Sequence, residues 1–84
     1  LKFHEDDLKY GKYLYATYSD KWAAYIVDDE SNSEIHLKLL NQNKEGFFVK
    51  DVWLTKIYII KGCGNEKINI ELFNEYEELV AWMV

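Results

Sequence analysis

Hydrophobic and polar residues alternate most regularly from position 34 to 39. Ile35, Leu37 and Leu39 fall on one side of an extended chain, and Glu34, His36 and Lys38 fall on the other. A two-residue period belongs to a strand with one face in a core and the other in water. Upstream, Lys12 to Tyr18 carries Tyr13, Leu14, Tyr15, Thr17 and Tyr18, residue types that suit a pleated surface. Ser19 and Asp20 then supply a polar break. Trp22 to Val27 places Trp22 and Ile26 on one face and Tyr25 and Val27 on the other, as expected of an interior strand covered on both sides or of a face used for contact. The run from Asp28 to Ser33, rich in Asp and Ser, separates two strands.

Asn41 to Gly46 reads as the next turn, with Gly46 suited to positive φ. Phe47 to Lys61 is long for one strand, so a bend is expected near Lys50, with Trp53 to Ile60 as the stronger β segment. Gly62, Cys63, Gly64 and Asn65 read as a reversal, and Ile68, Ile70 and Leu72 as the returning strand of a hairpin. Asn74 reads as a helix N-cap, with Glu75 and Glu77 complementing the positive end of a helix running toward Met83. Tyr76, Leu79, Val80 and Met83 are expected to pack on the sheet, with Trp82 turned away. Leu1 and Phe3 are expected to form a short edge strand before an acidic turn at Glu5 to Asp7.

The architecture that follows is α+β: an antiparallel sheet of about five strands with one C-terminal helix packed on a face, in a single small domain over residues 1–84. Its 49% hydrophobic content is too high for a disordered chain, and no apolar run is long enough to cross a bilayer. No secretory signal pattern is visible and the single Cys63 cannot form an internal disulfide, so a cytoplasmic location is expected.

Charge narrows the partners. Ten lysines oppose fifteen acidic residues and arginine is absent, giving a net charge of -5 that argues against direct nucleic-acid binding. Glu5, Asp6 and Asp7, then Asp28, Asp29 and Glu30, and later Glu75, Glu77 and Glu78 form acidic groups. They suit solvation, a basic protein partner, or imitation of nucleic-acid phosphates. Seven tyrosines and three tryptophans exceed what a core this small readily absorbs, which points to a protein partner or a homodimer. The interface candidates are Tyr13, Tyr15, Trp22 and Tyr25, with Asp28, Asp29 and Glu30 beside them.

Candidate chemistry is sparse. His4 stands beside three carboxylates with no spaced partner, and His36 sits between Glu34 and Lys38 without an identifiable nucleophile. Cys63 lies between two glycines without a local activating histidine. One cysteine and two distant histidines do not make a zinc site, the acidic loop lacks a calcium-binding pattern, and no phosphate-binding loop or dinucleotide fingerprint is present. No metal or cofactor is expected. The sequence therefore favours a small noncatalytic interaction domain, a regulator or adaptor using an aromatic sheet face and an acidic surface. The alternatives are an acidic inhibitor that mimics nucleic acid and a small hydrolase using His36 or Cys63.

Overall fold

The computed structural model describes residues 3–46, 48–63 and 67–83. In it the chain forms β1 (Tyr13–Tyr18), β2 (Lys21–Glu30), β3 (Glu34–Gln42), β4 (Asp51–Thr55), α1 (Lys56–Cys63), β5 (Ile68–Phe73) and α2 (Tyr76–Val80), after a single 3-10 turn at Glu5–Asp7. The strands make one antiparallel sheet in the order β4-β3-β2-β1-β5. The α+β class and the five-stranded antiparallel sheet agree with the alternation in the sequence.

Local chemistry accounts for the turns. Tyr18 pairs with Lys21 across a tight connection in which Ser19 takes φ 58. The Asn43 side chain ties this hairpin to the β3–β4 loop: its Nδ2 donates to the Asp20 carbonyl at 2.7 Å, and its Oδ1 accepts from the Trp22 N–H at 2.7 Å. Gly46, in that loop, takes φ 79, a conformation that costs glycine little. Lys50 bends the chain into β4.

The segment after β4 differs from the sequence expectation. Trp53 to Ile60 is not one strand: extended structure ends at Thr55, and Lys56 begins a helix. Thr55 carries the local reason, because its Oγ1 accepts the Tyr58 N–H at 3.2 Å and so satisfies a donor at the helix start. Topology carries the larger reason. Strand β5 pairs with β1 at the far edge of the sheet instead of forming a hairpin with β4, so the chain must cross a sheet face between two strands that run the same way. Helix α1 makes that crossing, which overrides the strand preference of Ile57, Ile59 and Ile60. Gly62 and Cys63 close α1, whereas Gly64 and Asn65 of the expected reversal lie outside the described residues.

Each face of the sheet has its own core, as the two-residue period requires. Leu14, Tyr25, Val27, Ile35, Leu37 and Ile70 face α1 and bury with Ile59 of that helix. Phe3 and Leu8 complete this core, so Phe3 is buried but forms no edge strand, and Leu1 lies outside the described residues. On the second face, Tyr15 and Ala24 bury with Leu79 of α2, and Tyr13, Trp22, Phe73 and Met83 surround them.

Helix α2 also begins and turns differently from the expectation. Its N-cap is Glu75 rather than Asn74, and the Glu75 N–H donates to Glu78 Oε1 at 3.2 Å. Asn74 Oδ1 instead accepts from Lys12 Nζ. At the other end the backbone tightens, with Trp82 N–H bonding to the Leu79 carbonyl at 2.9 Å and Met83 N–H to the Val80 carbonyl at 3.1 Å. Such bonds give about three residues per turn, which brings Leu79 and Trp82 to the same side. Trp82 therefore lays one side of its ring beside the sheet, 5.7 Å from Phe73 and 6.0 Å from Tyr15, while staying 45% exposed, and Val80 is 44% exposed. Val80 is therefore not packed on the sheet as expected, and Trp82 touches the rings of Phe73 and Tyr15 from a largely exposed position.

Candidate interaction surface

Helix α2 packs on β1 and β5 and leaves the β3–β4 half of the second face without a covering helix among the described residues. That open half is built by alternation: Val52 and Leu54 of β4 turn toward the α1 core, so Trp53 between them turns outward. Trp53 is 46% exposed and lies directly across from His36, with the rings 5.3 Å apart. Lys38 pairs with Ile26 on one side and with Asp51 on the other.

A register irregularity between Val27 and Asp29 sets Asp28 outside the one-to-one pairing and against His36. His36 Nδ1 lies 2.5 Å from Asp28 Oδ1, so the carboxylate holds the imidazole beside the indole. The arrangement is a half-buried His–Asp pair under an exposed tryptophan. The two immediate neighbours of the ring orient it and supply no nucleophile. Cys63 closes α1, the helix on the other face of the sheet.

The remaining interface candidates divide between the faces. Tyr15 is buried under α2 with its ring stacked on the half-buried Trp22 at 5.7 Å, and Tyr13 meets Tyr76 of α2 at 5.7 Å. Tyr25 is buried on the α1 side, where its hydroxyl donates to the Val49 carbonyl at 2.6 Å. These rings build the two cores, and the exposed aromatic area of the open half-face comes from Trp53. Alternation over Val52 to Leu54 carries the signal for that residue, but reading the strand on to Ile60 hides it, because helix α1 begins only three positions later.

Topology gathers all three acidic groups at one end of the sheet. Asp28, Asp29 and Glu30 close β2 at this end, where Glu34 opens β3. Glu5 and Asp6 join His4, Asn32 and Lys56 around a shallow depression there. Glu75, Glu77 and Glu78 follow β5, whose last residue, Phe73, pairs with Tyr13 at the start of β1 and through it with Ile26. Asp29 remains exposed, whereas Glu30 is engaged: one oxygen accepts the Tyr10 N–H at 2.8 Å, and the other lies 3.6 Å from the buried Lys56 ammonium.

The Tyr10 hydrogen bond, helped by the Lys56 and Lys9 charges, holds the Glu30 carboxyl below its ordinary range. A lowered folded-state value stabilises the fold above the carboxyl's unfolded value, and that contribution fades as pH falls through the folded one. Glu30→Gln is therefore expected to lower the melting temperature most near neutral pH and least near pH ~3. A gap between variant and parent that stays constant across this range would remove Glu30 from the acid response.

Among the described residues, no three His, Cys, Asp or Glu side chains gather as a metal-ligating group, and no helix is long and apolar enough to cross a membrane. No protein-family model matches the chain, and no curated protein or solved structure matches it.

Proposed function

We propose that this chain is a small noncatalytic interaction domain, a regulator or adaptor, that grips a protein partner with the open β3–β4 half of its second sheet face and the acidic end beside it. The observation that carries this reading is Trp53, exposed on the edge strand β4 of a half-face without a helix among the described residues, with the His36–Asp28 pair beside it and a carboxylate-rich rim at one side. A large amphipathic ring with a charged rim suits an anchor that supplies binding energy while surrounding charges select and orient the partner. The partner would offer an apolar pocket bordered by lysine or arginine. The single cysteine of the sequence, which leaves no internal disulfide, supports a reducing cytoplasmic setting.

Affinity capture with the parent chain, Trp53→Ala and the double variant Asp6→Lys with Asp29→Lys tests the proposal. Trp53→Ala is expected to weaken partner binding by about tenfold or more, the scale of an interface anchor. The charge reversals are expected to slow association and to flatten its salt dependence. Unchanged retention of every captured protein by both variants would overturn the reading. A second copy of the chain is one partner that this surface accommodates, and sedimentation at several concentrations reads self-association directly.

The gathering of the acidic groups also favours a second reading, an inhibitor that occupies the phosphate-binding groove of a nucleic-acid-binding protein. In that case duplex DNA competes for the captured partner and affinity falls steeply with salt. Binding indifferent to both would discard the mimic.

A further inference from the structure

Among the described residues, the α1 side of the sheet is incompletely filled. Between the helix and the strands lies a cleft of 420 Å³, walled by Leu14, Leu37, Ile68 and Ile70 of the sheet, Ile59 of α1 and Phe48 of the preceding loop. Protein interiors seldom leave such spaces, and this volume falls within the range of about 300–1,000 Å³ typical of ligand sites. Two features keep the cleft open. Ala16 contributes only a methyl group to the floor, and of the residues α1 turns toward the cleft, Ile59 is the buried one while Tyr58 stands 65% exposed at the mouth.

The chemistry of the walls selects the occupant. Tyr25 supplies a hydroxyl to the lining, but its proton is committed to the Val49 carbonyl at 2.6 Å, so it offers a ligand no donor, and the aliphatic walls favour a hydrocarbon for the buried part. At the mouth the charge is positive. Lys61 borders the cleft, is exposed and makes no ion pair among the described residues, in a chain whose net charge is -5. An alkyl chain inside and an anion outside would satisfy both parts at once. At about 30 Å³ for each water-sized atom, the space accommodates roughly a dozen carbon atoms.

We propose that the cleft between α1 and the sheet binds a free single-chain amphiphile with an anionic head, such as a medium-chain fatty acid, with its tail against Leu14, Ile59 and Ile70 and its carboxylate at Lys61. This site lies on the face opposite Trp53 and is independent of the protein-interaction surface.

Dodecanoate titrated below its micelle concentration, followed by methyl NMR, tests the proposal. Saturable shifts are expected at Leu14, Ile59 and Ile70, with the indole signals of Trp22, Trp53 and Trp82 on the other face unmoved. Lys61→Gln, which removes the charge at an exposed position, is expected to weaken binding about tenfold or more with at most a small change in the melting temperature of the free protein. Dodecyltrimethylammonium, with the same tail and a cationic head, is expected to bind the parent chain correspondingly weakly. Ala16→Leu, which fills the floor, is expected to abolish the methyl shifts while the protein stays folded. Absence of saturable binding, shifts confined to the Trp53 face, equal binding of the two head groups, or binding only to phosphatidylglycerol vesicles would each overturn the assignment.

Discussion

Leu79→Ala is expected to destabilise the protein by about 2–5 kcal/mol, the range for removing most of a fully buried leucine side chain without compensating collapse. Leu79 has 0% exposure, is the buried residue of α2, and fills the second core against Tyr15 and Ala24. A helix of five residues has little stability of its own, so this one side chain largely decides whether the segment stays docked. Losing it would also uncover the Tyr15–Trp22 stack and free Trp82. Urea unfolding followed by tryptophan fluorescence should show both a lower midpoint and a red-shifted native spectrum. Val80→Ala, one position further along and 44% exposed, is expected to cost less than about 0.5 kcal/mol. Equal losses in the two variants would contradict a docked α2 that buries Leu79 and leaves Val80 outside.

Alkaline pH should weaken the other core. Burial pushes the Tyr25 phenol up to about 12 from an ordinary value of 10.0, because the phenolate would lie against aliphatic side chains. The neutral form is favoured by the fold, so its contribution is complete below pH 10.0 and is lost as pH rises toward about 12. A shift of this size corresponds to roughly 2–3 kcal/mol across that interval. Burial also raises the Tyr15 phenol and adds to the same trend. Tyr25→Phe is expected to unfold with a flatter dependence above pH ~10. Near neutrality it should cost about 0.5–1.5 kcal/mol for the lost bond to the Val49 carbonyl, which stands where water can replace the donor. Urea midpoints near neutrality and near pH ~11.5 provide the comparison. Parallel curves for parent and variant would remove Tyr25 from the alkaline response.

Strands were legible where side-chain period and burial coincide. Ile35 and Leu37 against His36 and Lys38, or Leu14 against Tyr15, announce a sheet with two faces, and polar runs at Ser19 to Asp20 and Asp28 to Ser33 mark the strand boundaries, although β2 continues through Asp28, Asp29 and Glu30 before the turn. These are local properties: a residue's neighbours two positions away share its face wherever the strand lies in the sheet. Helix α1 shows where that logic ends. Ile57, Tyr58, Ile59 and Ile60 favour a strand by composition, and only Thr55, as a cap three residues before Tyr58, hints otherwise.

The places of the aromatic side chains were not legible. The excess of aromatic residues suggested contact area, and the structure places Tyr15, Trp22 and Tyr25 in or against the cores because α1 and α2 take opposite faces of the sheet. Trp53 stayed outside because α2 covers β1 and β5 and stops short of β4.

By itself the sequence determined the pleated character of the chain, the two-sided distribution of its apolar residues and the presence of three separated acidic groups, since each depends on the spacing of neighbours along the backbone. Tertiary structure decided the pairing of β5 with β1, the crossing by α1, the meeting of the acidic groups at one end, the His36–Asp28 contact and the cleft above Ala16. The physical reason is that these features depend on which distant segments share an edge or a face, and that choice is made by the total burial of the folded chain.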